Sequence, residues 1–129
     1  MPVIRRDYPD IAPAGPNVSR GVLSGNLLFI AGCPARGTDA QGKPIMDQLR
    51  VTLDRITRIV AAEGGTPSDI VKITTFVTSV AEWRAHASEK EALFQEFFKG
   101  EYPANTLVEI TGLAEPGLDV EIEATAALG

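Results

Sequence analysis

Acidic and apolar residues alternate near the C-terminus, a pattern that can place carboxylates on one face of a strand. Leu118, Val120, Ile122 and Ala124 alternate with Asp119, Glu121, Glu123 and Thr125. Successive side chains of a β-strand point to opposite faces, so the pattern predicts a strand with an apolar face and an acidic face. A carboxyl group in a partly dry cleft has its pKa raised toward use as an acid or base. The acidic face is therefore a candidate site of proton transfer.

The single cysteine and the single histidine offer less chemistry. Cys33 has only Arg36 as a nearby cation in sequence, and a nucleophilic thiol needs a base or a positive field. We therefore expect a buried or pocket-lining, chemically quiet cysteine. His86 lies on a predicted helix, where an exposed residue is the more common interpretation. One histidine, one cysteine and scattered carboxylates do not supply a usual metal-ligand set, so no metal site is predicted.

Size and charge narrow the classes of function. The chain has 129 residues and a formal net charge of −5, which fits one domain over 1–129 and argues against a nucleic-acid surface. No apolar run approaches the roughly 20 residues of a membrane span, and the N-terminus lacks the apolar segment of a signal peptide. A lone cysteine fits a reducing compartment. These features predict a cytoplasmic protein that does not bind membranes or nucleic acid.

Hydrophobic periodicity predicts seven elements. An apolar stripe at Ile45, Leu49, Leu53, Ile56 and Val60 indicates a first helix that ends at Gly64-Gly65. The full predicted order is strands over 20–23 and 27–31, this helix, a strand over 70–78, a helix over 82–99, and strands over 105–111 and 118–126.

This order is typical of an α+β fold with two helices on one face of a mixed sheet. The other face of the sheet must then be exposed to solvent or covered by a neighbouring subunit. We assign Glu109, Glu121 and Glu123 to that other face, where they favour an interface with pockets over a dry core.

Several segments resemble the RidA/YjgF family of reactive-intermediate deaminases in order and spacing. They are Ala14-Gly15-Pro16, Gly25 to Gly32, Asp69 to Lys72, Phe97-Phe98, Tyr102-Pro103-Ala104 and Val120 to Ala124. The resemblance implies a chorismate-mutase-like fold and a homotrimer whose sheets line a central barrel, with three clefts between subunits. It also implies a small-molecule substrate: typical members hydrolyse enamines and imines such as 2-aminoacrylate to a keto acid and ammonia, without a cofactor.

The resemblance assigns roles to several positions of this chain. Glu121 matches the carboxylate that handles water or protons in the family, so it is the candidate catalytic residue; the alternatives are an interface ion pair or a solvated strand residue. Gly32 and Cys33 match the strand end that presents a backbone amide to the ligand. The remaining candidate substrate-binding positions are Asn17, Asn105 and Leu107; Asn17 and Asn105 are equally well interpreted as turn or strand-edge residues.

These last three positions depart from the family pattern. Asn105 stands where the family has the cleft arginine, Asn17 replaces a tyrosine and Leu107 replaces a cysteine. An asparagine offers a donor and an acceptor but no charge, so it cannot replace an arginine–carboxylate pair. We therefore predict weak or absent activity on 2-aminoacrylate. The substrate either lacks that carboxylate or has it held by another cation, for which Arg20, Arg36 and Arg84 are candidates.

The predicted second helix is about one turn longer than in typical family members, and the extra turn spans Arg84 to Glu91. This turn would reshape the rim of the pocket. The candidate rim residues are Arg36, Trp83, Arg84 and His86, although core or helix–sheet packing is the favoured interpretation of Trp83.

Three functions remain open. The first is an enzyme that hydrolyses a C–N or similarly activated bond with Glu121 positioning water. The second is a trimer that binds a metabolite without turning it over, and the third is an interaction or chaperone-like trimer. Ribonuclease activity, also described in the family, is the weakest option because the chain is acidic.

Overall fold

The computed structural model describes residues 2–129, which form six strands and three α-helices. The strands are β1 (Val3–Arg6), β2 (Gly21–Ser24), β3 (Leu27–Pro34), β4 (Ile70–Val77), β5 (Ala104–Glu109) and β6 (Val120–Ala127). The helices are α1 (Ile45–Ala62), α2 (Val80–Ala85) and α3 (Ala87–Phe98), and a 3₁₀ turn covers Pro67–Asp69.

The strands form one mixed sheet in the order β1-β2-β3-β6-β4-β5. Only β4 and β5 pair in parallel, while the other neighbours are antiparallel. The helices cover one face of this sheet, which confirms the predicted α+β class. The opposite face, called the open face below, carries Phe29, Glu121 and Glu123.

The core lies between the sheet and α1. Leu49, Leu53 and Ile56 of the predicted stripe are completely buried on α1. Helix α1 ends where Gly64 adopts a positive φ of 83° and Gly65 N–H donates to Val60 O at 2.9 Å, a left-handed helix end that favours glycine. The apolar face of β6 packs against this helix, so the alternation of that strand fixes which side of the sheet Glu121 occupies.

Strand β1 is absent from the elements predicted from the sequence. Its four residues are all exposed, so they show no burial pattern that periodicity can detect. The segment is held by long-range contacts instead: Arg6 Nε lies 2.9 Å from Glu63 Oε2, and Tyr8 Oη donates to the same carboxylate at 2.5 Å. Both contacts join the N-terminal segment to the end of α1.

The prediction of one continuous second helix is wrong, because the chain forms α2 and α3 with a break at His86. This residue has φ −112° and ψ 32°, so it leaves the helical conformation. Its two ring nitrogens lie 2.9 Å from Glu82 Oε1 and 3.1 Å from Glu89 Oε1. Hydrogen bonds to Glu82 and then Glu89 raise the pKa of His86. The side chain therefore bridges the two helices at their junction.

The assignment of Glu109 to the open face is also wrong. In the parallel register of β5 with β4, Glu109 lies beside Val77, whose side chain is buried under the helices. Its Oε1 accepts a hydrogen bond from Val80 N at 2.8 Å, at the start of α2. Glu109 is thus a helix-side residue, and the acidic residues of the open face come from β6.

Thr52 is a buried hydroxyl that makes no hydrogen bond within the described residues. Valine has nearly the same shape without the polar group, so Thr52→Val removes the cost of burying an unpaired hydroxyl. We expect this variant to be more stable by roughly 1 kcal/mol in urea unfolding. Thr57→Val is the matched control, since Thr57 Oγ1 donates to Leu53 O at 2.9 Å and no gain is expected. A destabilised Thr52→Val variant would contradict this prediction.

Candidate functional site

A β-bulge in β3 creates the close contact at the centre of the candidate site. Ile30 pairs with Ala124 and Cys33 pairs with Ile122, so two residues of β3, Ala31 and Gly32, lie opposite the single residue Glu123 of β6, and β3 has one extra residue. A Cβ atom placed on Gly32 would lie 2.7 Å from Glu121 Cδ and would overlap Glu121 Oε2. The absent side chain at position 32 therefore lets the Glu121 carboxylate rest directly on the backbone of the bulge.

Glu121 lies half-buried on the open face, level with Pro34 of β3 and Phe76 of β4. Burial raises the pKa of its carboxyl group; Arg20 and Arg36 oppose this effect, and Glu123 adds to it. No arginine, lysine or histidine nitrogen within residues 2–129 lies within 4 Å of this carboxylate. A partly desolvated carboxyl without a direct ion pair is suited to taking up and releasing a proton.

Arg20 fastens the N-terminal loop to the bulge. Its guanidinium is buried and donates to three carbonyl oxygens: Ala12 O at 3.0 Å, Pro13 O at 3.1 Å and Gly32 O at 2.6 Å. These bonds occupy all three guanidinium nitrogens. Arg20 therefore fixes the backbone below Glu121 and supplies a buried positive charge rather than an exposed binding group.

Cys33 is fully buried on the helix side of the sheet. Burial raises the pKa of its thiol, and the smaller opposing influences come from Arg20 and Arg55. The thiol is therefore protonated near neutral pH, in line with the expectation of a buried, quiet cysteine. Its side chain points away from Glu121, so any contact with a ligand in the cleft would have to come from its backbone.

Arg36 lies at the edge of the same region. Its Nε is 3.7 Å from Glu115 Oε2, with 37% and 42% of the two side chains exposed. One of its terminal nitrogens donates to Pro13 O at 3.1 Å. Arg55 of α1 lies beneath and donates to Pro34 O at 2.6 Å and to Arg36 O at 3.0 Å.

Asn105 and Leu107 lie on the other side of the sheet from Glu121. Both belong to the edge strand β5 and are level with Ile73 and Thr75 of β4, whose side chains face the helices. Thr75 Oγ1 donates to Asn105 Oδ1 at 2.9 Å. Both residues are exposed because the helices do not cover this edge. A single chain therefore does not bring Glu121 and Asn105 together.

The remaining candidates occupy two different places. Asn17 is exposed in the loop before Arg20 and has a φ of 68°, in the left-handed region. Trp83 is buried in the core, as its packing interpretation requires, whereas Arg84 on the same helix is exposed. His86 caps the junction described above. The structure thus places Gly32 directly against Glu121, Cys33 on the helix side of the same bulge and Arg36 two residues beyond β3, and it leaves the α2 residues in the helical layer.

Three contributors to this region were missed by the sequence analysis. Arg55 and Glu115 are partners of Arg36, and Gln48 holds the turn that precedes β6. The buried Gln48 amide donates to Gly117 O at 2.9 Å and accepts from Asp119 N at 2.8 Å. The sequence gives one indication of these roles, which is that Gln48 and Arg55 each adjoin a residue of the apolar α1 stripe.

Two structural features are absent from the described residues. Nowhere in residues 2–129 do three His, Cys, Asp or Glu side chains come close enough together to hold one metal ion. Within the same residues, no helix combines the length and the apolarity that crossing a membrane would require.

Comparisons with known proteins give consistent matches along the chain. Residues 9–128 match the family model described as endoribonuclease L-PSP. A RutC family protein of Pyrococcus horikoshii is 33% identical over 118 residues, which cover 88% of each chain. A protein of Escherichia coli named "Putative reactive intermediate deaminase TdcF" is 32% identical over 116 residues, 87% of this chain and 86% of the other.

A solved structure gives the same result for the fold. The crystal structure of Rv2704 from Mycobacterium tuberculosis, described as a member of the YjgF/YER057c/UK114 family, has a TM-score of 0.77 and 30% identity. The alignment covers 98% of this chain and all of that one. The mixed six-stranded sheet with its helical layer is therefore shared with that structure over almost the whole length.

Proposed function

Since the chain belongs to the endoribonuclease L-PSP family, which includes the YjgF proteins, we propose that it hydrolyses an enamine, an imine or a similarly activated C–N bond without a cofactor. The name of the Escherichia coli relative supports a deaminase reaction. The observation that carries the proposal is the Glu121 carboxyl, seated on the Gly32 bulge with a pKa raised by burial. The net charge of −5 disfavours an RNA substrate.

In the proposed reaction, Glu121 acts first as a base and then as an acid. The substrate reacts as its protonated imine. The ionised carboxylate takes a proton from water while the water oxygen attacks the carbon of the C=N bond, and the π electrons of that bond become a lone pair on nitrogen. This gives a neutral tetrahedral carbinolamine. Glu121 then returns its proton to the nitrogen, the C–N bond breaks, and the hydroxyl proton passes to the departing ammonia, so that ammonium and the carbonyl product form. One water is consumed, and the carboxylate ends in its starting state.

The cleft itself would be formed between protomers of a homotrimer. Glu121 and Asn105 lie on opposite faces of one sheet, so they can face each other only across two chains. The open face also exposes Phe29 at 43%, an apolar surface that a second protomer would cover. We expect size-exclusion chromatography with light scattering to give three times the chain mass of 13.8 kDa. A monomer at micromolar concentration would remove the proposed cleft.

The substrate is proposed to differ from 2-aminoacrylate. Asn105 is held by Thr75 and carries no charge, so it cannot form the paired contact of an arginine with a substrate carboxylate. The test is ammonia release from a panel of imines generated in the assay, with 2-iminopropionate as one member. We expect turnover of at least one other imine to exceed that of 2-iminopropionate. Turnover of 2-iminopropionate comparable to that of family deaminases would refute this part of the proposal.

A further inference from the structure

The single histidine of the chain is held between two carboxylates. Nε2 of His86 lies 2.9 Å from Glu82 Oε1, and Nδ1 lies 3.1 Å from Glu89 Oε1. Glu82 belongs to α2 and Glu89 to the first turn of α3, so the ring links the two helices across their break. Within residues 2–129, no hydrogen bond runs directly from a residue of α2 to a residue of α3. The three residues are called the histidine clamp below.

The two contacts of the clamp require a particular protonation state of the ring. An ionised carboxylate can only accept hydrogen bonds, so each ring nitrogen must carry a proton for both bonds to form. Only the imidazolium ion has a proton on both nitrogens. In the neutral ring, one nitrogen presents a lone pair to the facing carboxylate oxygen and that contact is lost. Losing either contact breaks the link between α2 and α3.

The charged groups that α1 places beside the clamp favour the protonated ring. Asp47 and Arg50 line the same groove as Glu89. Both oxygens of Glu96 bind Arg50, at 2.7 and 3.1 Å, and this paired contact largely neutralises the charge of the arginine. Asp47 therefore leaves this side of the clamp negative.

The other charged neighbours do not change this sign. Asp119 lines the groove beside Glu82 and adds a second negative charge from the segment before β6. The helices of the clamp carry two cations close in sequence, Arg84 and Lys90. Neither of them has a nitrogen within 4 Å of the Glu82 or Glu89 carboxylate. The two carboxylates are thus free to hold the imidazolium ion.

We propose that the histidine clamp is a pH-sensitive switch: protonated His86 holds the first turn of α3 against α2, and loss of the proton releases this turn. The turn is the weaker side of the junction, because residues 87–89 are exposed and His86 gives α3 no side-chain cap. Helix α2 is anchored by the buried Trp83. The inference goes beyond the proposed function, since it concerns the helical layer and assigns no role to Glu121.

The direction of the switch follows from the contacts. Hydrogen bonds to Glu82 and then Glu89 raise the pKa of His86 above its ordinary value of about 6.5. The stabilisation of the turn is therefore fully present below the ordinary pKa of histidine. It is lost as the pH rises through the raised pKa of the folded protein.

The first measurement is a pH titration of the ring nitrogens of His86 by NMR in the full chain, where one histidine gives one pair of signals. We expect both nitrogens to be protonated below the midpoint and the midpoint to lie above the ordinary value. Glu82→Gln and Glu89→Gln should each lower the midpoint, because each removes one acceptor from the charged ring. Glu91→Gln is the matched control, since Glu91 is an exposed acid of α3 outside the clamp, and its effect should be smaller. A midpoint at or below the ordinary value, or equal midpoints in Glu89→Gln and Glu91→Gln, would overturn the inference.

The second measurement is the amide hydrogen exchange of Lys90, whose N–H donates to His86 O at 3.0 Å in the first turn of α3. After correction for the intrinsic effect of pH, its protection should fall about twofold to fivefold as the pH rises through the midpoint, the effect of losing one exposed ion pair. The N–H of Trp83 donates to Ser79 O at 3.1 Å in α2 and should show no such step.

His86→Gln completes the test, because glutamine cannot carry the positive charge. In this variant, the Lys90 amide should exchange at every pH as it does in the wild-type protein at high pH. The switch is refuted if the wild-type protein shows no step in Lys90 protection, or if His86→Gln keeps the low-pH protection. Neither measurement involves turnover, so the proposed function stands or fails independently of these results.

Discussion

Glu121→Gln is expected to lower kcat/KM by between about 100-fold and 10,000-fold, measured on the imine of the panel that is turned over fastest. Glutamine keeps the size of the side chain and its seat on Gly32 but cannot accept and return a proton. The affinity for the carbonyl product of that imine should therefore change little. Loss of turnover together with unchanged binding distinguishes proton transfer from a defect in folding or in the shape of the cleft.

The pH dependence gives a second readout of the same residue. The proposed base must be ionised, so kcat/KM should fall as the pH is lowered through the pKa of Glu121. Burial raises this pKa above the usual value for glutamate, and the charge of Glu123 raises it further. Glu123→Gln should therefore keep the maximal rate and move the acid limb to lower pH. Glu123 lies two residues away on the same face of β6, which makes it the matched control.

Other outcomes would lead to different conclusions. If Glu121→Gln retained wild-type turnover, Glu121 would be an interface or solvated residue and the proton transfer would have to come from elsewhere. If the wild-type protein turned over no imine of the panel yet bound one of the corresponding carbonyl compounds tightly, the trimer would be a metabolite-binding protein. If kcat/KM of the wild-type enzyme fell at the ordinary pKa of glutamate, the Glu121 carboxyl would be exposed to solvent in the assembled cleft and not desolvated by burial.

The face on which Glu121 lies could be predicted from the sequence because β6 alternates strictly between apolar and polar residues. A strand with this pattern has one way to bury its apolar side, and the alternation then fixes every other side chain. Glu109 shows the limit of the same reasoning. Its strand has little apolar alternation, so its face is set by the register with β4, which depends on contacts distant in sequence.

The surroundings of Glu121 could not be predicted for a related reason. The bulge at Gly32 exists only in the pairing of β3 with β6, and these strands are far apart in the chain. The sequence makes Arg20 a candidate for binding a substrate carboxylate, yet its position between the N-terminal loop and the bulge buries it and occupies its nitrogens with carbonyl groups. Similarly, the break at His86 depends on side-chain bonds to Glu82 and Glu89 that a helical periodicity does not register.

Gly32→Ala is expected to reduce kcat/KM by at least about 100-fold while the protein remains folded, because a misplaced catalytic group costs a factor of this size. The added Cβ would occupy the space of the Glu121 carboxylate, with Cγ at 2.9 Å and Cδ at 2.7 Å. The glutamate side chain can rotate away toward the open face, whereas the backbone of the bulge is held by Arg20. The methyl group should therefore displace the carboxylate rather than the strand.

Two further variants separate this explanation from a general loss of structure. Gly112→Ala is the control glycine, since nothing lies within 4 Å of a Cβ at that position, and it should keep wild-type activity and melting temperature. In the double variant Gly32→Ala/Glu121→Gln, the activity should equal that of Glu121→Gln alone, because the methyl group acts only by moving a carboxylate that is no longer there. Two residues that act through one group are not additive. Multiplicative losses would instead mean that Gly32 contributes to catalysis in another way, such as through its own backbone amide.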